Sequence, residues 1–124
     1  MDKENWKKYI KEKHLEYKKI GYVECPAFGN EKVYFNKHGF THLIRKKGKV
    51  RNHAEQLRRI NLLKYASIIL SRVQDIVSYS KNIEYGLPCY FWIFHMEVDL
   101  RKIRIVVRQL GEGRRHFFSI MDRL

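Results

Sequence analysis

The chain has 124 residues, 44% of them hydrophobic and 14% aromatic, which is enough apolar material for one domain with a sizeable core and too much for a disordered tail. Lys and Arg number 26 against 13 Asp and Glu, a formal net charge of +13. An ordinary small domain carries roughly 2–8 in magnitude, so the excess concentrates polyanions: nucleic acid is the first partner to consider and an anionic membrane surface the second.

In chain order, residues 4–19 read as a helix, with Trp6, Tyr9, Ile10, Lys13 and Tyr17 at three-to-four spacing and lysines opposite. Gly21 stops it. The acids Glu4, Glu12 and Glu16 argue for a packing element over a basic membrane-surface helix. Tyr22–Cys25 and Lys32–Phe35 are short strands separated by Pro26 and Gly29-Asn30. Asn36 caps a short helix over 37–47 that buries Phe40, Leu43 and Ile44 and ends at Gly48 after the basic run Arg45-Lys46-Lys47. Residues 52–80 keep one apolar stripe from Leu57 to Val77, which predicts a long helix capped by Asn52, with Arg58 and Arg59 in its first turns. Beyond Gly86-Leu87-Pro88 the period becomes two. Cys89–Val98 places Tyr90, Trp92, Phe94, Met96 and Val98 on one face, suited to covering the long helix. Asp99–Lys102 is a turn, Ile103–Leu110 a strand, Gly111–Gly113 a turn, and Arg115–Met121 a last strand with Phe117, Ser119 and Met121 on one face. The expected fold class is α+β in one domain over 1–124: N-terminal helices, one of them long, packed on a C-terminal antiparallel sheet, with 1–20 as a helical extension.

No run of ~18–20 apolar residues is present, and the charged start, Met1-Asp2-Lys3-Glu4, lacks a signal-peptide core. Two cysteines, Cys25 and Cys89, without such a leader read as reduced thiols. The expectation is a cytoplasmic chain without stable membrane insertion. There is no CxxC, HExxH, EF-hand, P-loop or GxGxxG pattern. His38 and His42 are four apart, but no third ligand is evident, so neither metal nor cofactor is expected.

Residues 31–60 carry net +7 and residues 100–124 net +5, so a fold that joins them makes one cationic face. RNA cleavage without metal needs a base for the 2′-hydroxyl, a cation at the scissile phosphate and an acid for the leaving 5′-oxygen. Histidine suits the proton-transfer roles and arginine the phosphate. The candidates are His42 in Gly39-Phe40-Thr41-His42-Leu43, Arg108 on the middle strand and Ser119 on the last, with Lys46, Arg51, Arg59 and Arg104 as phosphate or RNA contacts. His38 and His53 are alternatives to His42 as the working histidine.

Together, Val33-Tyr34-Phe35, His42-Leu43, Arg51, Arg59-Ile60-Asn61-Leu62-Leu63, Tyr90-Phe91-Trp92, Val106-Val107-Arg108 and Phe118-Ser119 form a pattern. In that order, over roughly Tyr22 to Met121, it resembles the barnase–EndoU–colicin–RelE superfamily of metal-independent ribonucleases, in particular its phage and mobile-element branch. The resemblance implies that His42 is the helix-borne histidine, Arg59 and Arg108 the phosphate-binding bases and Ser119 the last-strand hydroxyl. The sequence departs from it in having no glutamate at a clear general-base position. That leaves the base role to His42, with Lys46 or Arg51 stabilising charge.

The implied function is a metal-independent endoribonuclease of toxin or phage type, acting on tRNA or mRNA by 2′-hydroxyl attack. One alternative is a non-catalytic nucleic-acid-binding module using the same face, with aromatics stacking on bases. Another is an interaction protein for an acidic partner such as an inhibitor or immunity protein.

Overall fold

Helix α1 (Lys3–Ile20) starts where the Asp2 carboxylate accepts from the Asn5 amide at 2.8 Å, and ends at Gly21, whose φ of 70° suits glycine. The computed structural model describes residues 2–122. Tyr17 ties α1 to the rest of the chain: it is 1% exposed and its hydroxyl donates to the Asn36 carbonyl at 2.6 Å. Strands β1 (Tyr22–Cys25) and β2 (Glu31–Tyr34) flank a short 3-10 turn at Pro26–Phe28. Helix α2 (Lys37–Ile44) is capped by Asn36, whose side chain accepts from the His38 amide.

Two helices are shorter than their sequence period suggests. α2 stops at Ile44, and the basic run continues as a hairpin, β3 (Arg45–Lys46) against β4 (Lys49–Val50). Lys47 and Gly48 turn it with both φ positive, the two-residue geometry that matches strand twist. Helix α3 (His53–Leu70), capped by Asn52 as expected, ends at Ser71 rather than near residue 80. Val73 keeps the helical phase because it still reaches the core, 4% exposed, after the chain has left the helix. Ile76 and Val77 are exposed, and Val77 already pairs with Ile93 ahead of a strand absent from the sequence reading, β5 (Ser78–Glu84).

The remaining strands are β6 (Leu87–Val98), β7 (Arg101–Leu110) and β8 (His116–Met121). The six-stranded sheet runs β1-β2-β8-β7-β6-β5. It is mixed, not purely antiparallel: β2 joins β8 in parallel, at the single pair Tyr34–His116. The rest of β8 has α2 and α3 beside its edge instead of a strand. Gly39 makes this approach possible, since a Cβ there would overlap the Phe117 carbonyl oxygen and the Tyr17 hydroxyl. One sheet face is core: Phe94, Ile103, Ile105, Val107, Phe117 and Ile120 pack with Ile60, Leu62, Ala66, Ile69 and Leu70 of α3. Burying each of these Phe, Val, Leu and Ile side chains contributes about 1.5–3 kcal/mol. Among the described residues no helix is long and apolar enough to cross a membrane.

A bulge in β8 changes one expected face. Phe117 pairs with Val107 and Ser119 with Val106, leaving Phe118 as the extra residue. Phe117 and Ile120 therefore both enter the core. Ser119, expected beside Phe117, lies instead on the face of Arg104 and Arg108.

Candidate active site

On the face opposite the core, Phe91, Arg108 and His116 stand in one register row across β6, β7 and β8. The bulge adds Phe118 to this face. α2 brings His42 beside it, the β3–β4 hairpin brings Lys46 and Lys47, and the β5–β6 turn brings Glu84 and Tyr85. These eight residues, His42, Lys46, Lys47, Glu84, Tyr85, Phe91, Arg108 and Phe118, line a cleft of about 550 Å³. Phe118 is its floor: the His42 ring centroid lies 4.2 Å from that of Phe118, and the Arg108 guanidinium carbon lies 4.3 Å from it. The imidazole and the guanidinium thus meet one aromatic ring.

Arg51 orients His42. Its Nε donates to the His42 carbonyl at 3.0 Å, and its Nη2 stands 3.5 Å from His42 Nδ1. A guanidinium only donates, so this contact favours the tautomer with a lone pair on Nδ1 and the proton on Nε2. Burial, then the charges of Arg51, Arg59, Arg108 and Lys46, push His42 down to about 4. The imidazole is neutral at pH 7 in the free protein, set among four cations that favour an anion in the cleft.

Arg108 is 8% exposed and held on two sides. Its Nε donates to His116 Nε2 at 3.0 Å, and its Nη1 lies 3.9 Å from the Glu84 carboxylate. Burial lowers its pKa, and the Glu84 charge is among the influences that oppose this. Beneath Glu84, burial and a hydrogen bond to that carboxylate push the Cys89 thiol up to about 11, so it stays protonated.

The other sequence candidates occupy different places. Arg59 is buried: its Nη1 donates to Ser119 Oγ at 3.2 Å and to the Ile120 carbonyl at 3.3 Å, and its Nε pairs with Glu55 at 3.0 Å. Arg59 and Ser119 therefore bond each other behind the cleft lining and act on it through position and charge. Arg104 is four residues from Arg108 on the same face, about 13 Å along the strand, with Nη1 3.8 Å from Met121 Sδ. His38 faces His116, ring centroids 5.5 Å apart. His53 stacks on Trp6 of α1 at 4.2 Å, away from the cleft.

Sequence reasoning missed Glu84, Tyr85, Lys47, Phe91, Phe118 and His116. The signal for Glu84 was the alternation of Tyr79, Lys81 and Ile83 before Tyr85-Gly86, a strand leading into a tight turn. Among the described residues no three His, Cys, Asp or Glu side chains converge as a metal site. No family model, curated protein or solved structure matches the chain.

Proposed function

We propose that this chain is an endoribonuclease that cleaves RNA by attack of the 2′-hydroxyl on the adjacent phosphate. The observation that carries the reading is the cleft itself, where an imidazole, a carboxylate and a buried guanidinium line one hollow floored by an aromatic ring. RNA suits it because its 2′-hydroxyl is an internal nucleophile already at the phosphate.

Arg108, with Lys46 and Arg51 nearby, takes the phosphate oxygens, and Phe91 and Phe118 offer ring faces to a base. Glu84 accepts the 2′-proton, the role the sequence left to His42. A bound phosphodiester offsets the cationic field on His42 and raises its pKa, so that the imidazolium protonates the leaving 5′-oxygen from Nε2–H. The O2′–P bond forms, the P–O5′ bond breaks, and the products are a 2′,3′-cyclic phosphate and a 5′-hydroxyl. The chemistry fits the superfamily that the sequence order resembles, and an RNA substrate fits a cytoplasmic site of action. An acidic inhibitor would fit the same cleft.

The test is cleavage of tRNA and mixed-sequence RNA in EDTA by the intact protein and by His42→Ala, Glu84→Gln and Arg108→Ala. Cleavage that survives chelation and falls at least about a hundredfold in each variant supports the reading. Salt-sensitive RNA binding without cleavage by the intact protein replaces it with a non-catalytic binding module.

A further inference from the structure

The core face of the sheet does not end where α3 does. Phe94 is fully buried, and Trp92, Met96 and Val98 pack against the core, but Tyr90 and Tyr79 lie outside it. Tyr79 pairs with Trp92, and Lys81 with Tyr90, in the β5–β6 register, so all four share this face. The rings of Tyr79 and Tyr90 are 6.4 Å apart and inclined by 19°, and those of Tyr90 and Trp92 are 6.2 Å apart and inclined by 24°. Nearly parallel rings at that separation are not in face-to-face contact with each other. Tyr79 is 54% exposed, which contributes little to the fold. Lys81 Nζ lies 5.5 Å from the Tyr90 ring, whereas the Arg115 guanidinium near Trp92 is paired with Glu31 and lies over Phe28.

We infer that Tyr79 and Tyr90 form a second binding site, a stacking platform for single-stranded RNA on the sheet face opposite the cleft, with core-packed Trp92 at its inner side. Its choice of RNA rests on the ribonuclease reading; its geometry does not. Single-stranded RNA is held by aromatic faces under successive bases and by cations along the backbone, and this surface offers the two tyrosine rings and Lys81. Ile83, 78% exposed, shares this face of β5 with Tyr79 and Lys81, so a lipid surface and a second protein copy are read as separate arms of the test. The platform holds a strand extending from the cleft around the β5 edge, so it acts on long substrates and not on dinucleotides.

The experiment measures binding of a short 2′-O-methyl RNA, which cannot be cleaved, in a His42→Ala background, so that failure of catalysis leaves the result readable. Tyr79→Ala and Tyr90→Ala are each expected to weaken RNA binding about five- to tenfold. Both should leave binding of inorganic polyphosphate, which has charge but no bases, within about twofold. Tyr79→Phe and Tyr90→Phe keep the rings and are expected to bind as the parent does. Equal loss of RNA and polyphosphate binding, or no loss of either, overturns the proposal. So does loss of self-association, or of phosphatidylserine-vesicle binding, in the Ala variants with RNA binding unchanged.

Discussion

Arg108 donates from Nε to His116 Nε2 at 3.0 Å, across adjacent strands and out of water. The donor-only guanidinium fixes the histidine tautomer: Nε2 holds the lone pair, and Nδ1 carries the proton toward the Arg114 carbonyl, 3.4 Å away. With Nε anchored, both Nη groups of Arg108 remain for Glu84 and for substrate. His116→Phe removes the anchor and keeps a ring. We expect kcat/KM for RNA to fall about tenfold or more, mainly through KM, with His116→Gln restoring part of it. An unchanged KM in the Phe variant would remove His116 as a positioning residue.

Half-buried His42 and buried His116 also set how stability depends on pH. Burial and neighbouring cations lower His42 and His116 from 6.5 to about 4. The unfolded chain therefore binds more protons than the native one between those values. Their stabilising contribution is complete above pH 6.5 and is lost as pH falls toward about 4. Urea midpoints should drop through this window. The double variant His42→Gln, His116→Gln should show a shallower drop, which separates the histidines from carboxylates titrating at its lower end. A slope as steep as the parent's would show that neither imidazole is kept neutral by the fold.

Ser119 tests whether a last-strand hydroxyl touches substrate or supports an arginine. Its Oγ accepts from buried Arg59, which also bonds the Ile120 carbonyl and Glu55. Arg59 thus keeps partners when the hydroxyl is removed. Ser119→Ala should cost about 1 kcal/mol of stability and leave cleavage within about fivefold of the parent. A loss as deep as that of Arg108→Ala would put the hydroxyl on the reacting phosphate.

The parts legible in the sequence are those governed by local rules. Asn36 and Asn52 cap helices because their side chains accept from nearby amides. Alternation in Cys89–Val98 and Ile103–Leu110 marks strands because one face is core. The illegible parts depend on distant partners. Val73 continues a helical stripe only because the turn after Leu70 returns it to the core. The bulge at Phe118 has no local marker, since it is defined by what Val106 and Val107 pair with. Missing β5 concealed Glu84. His42 and Arg108 were identified by residue type and order, but their shared contact with Phe118 required both the bulge and the placement of α2 along β8.

The field on His42 leads to the most discriminating prediction. In the free protein, burial and four cations keep the imidazole neutral at pH 7. A phosphodiester in the cleft brings a negative charge to the same place and raises the pKa, so the protonated protein binds RNA more tightly than the neutral one. Affinity for 2′-O-methyl RNA should therefore rise as pH falls from 7 toward 5, by up to about tenfold per pH unit for the one proton taken up. His42→Gln should flatten most of this slope. Fluorescence anisotropy at fixed ionic strength reads both proteins directly. If the parent and His42→Gln share one slope, phosphate does not bind beside the imidazole, and His42 cannot protonate a leaving oxygen from that position.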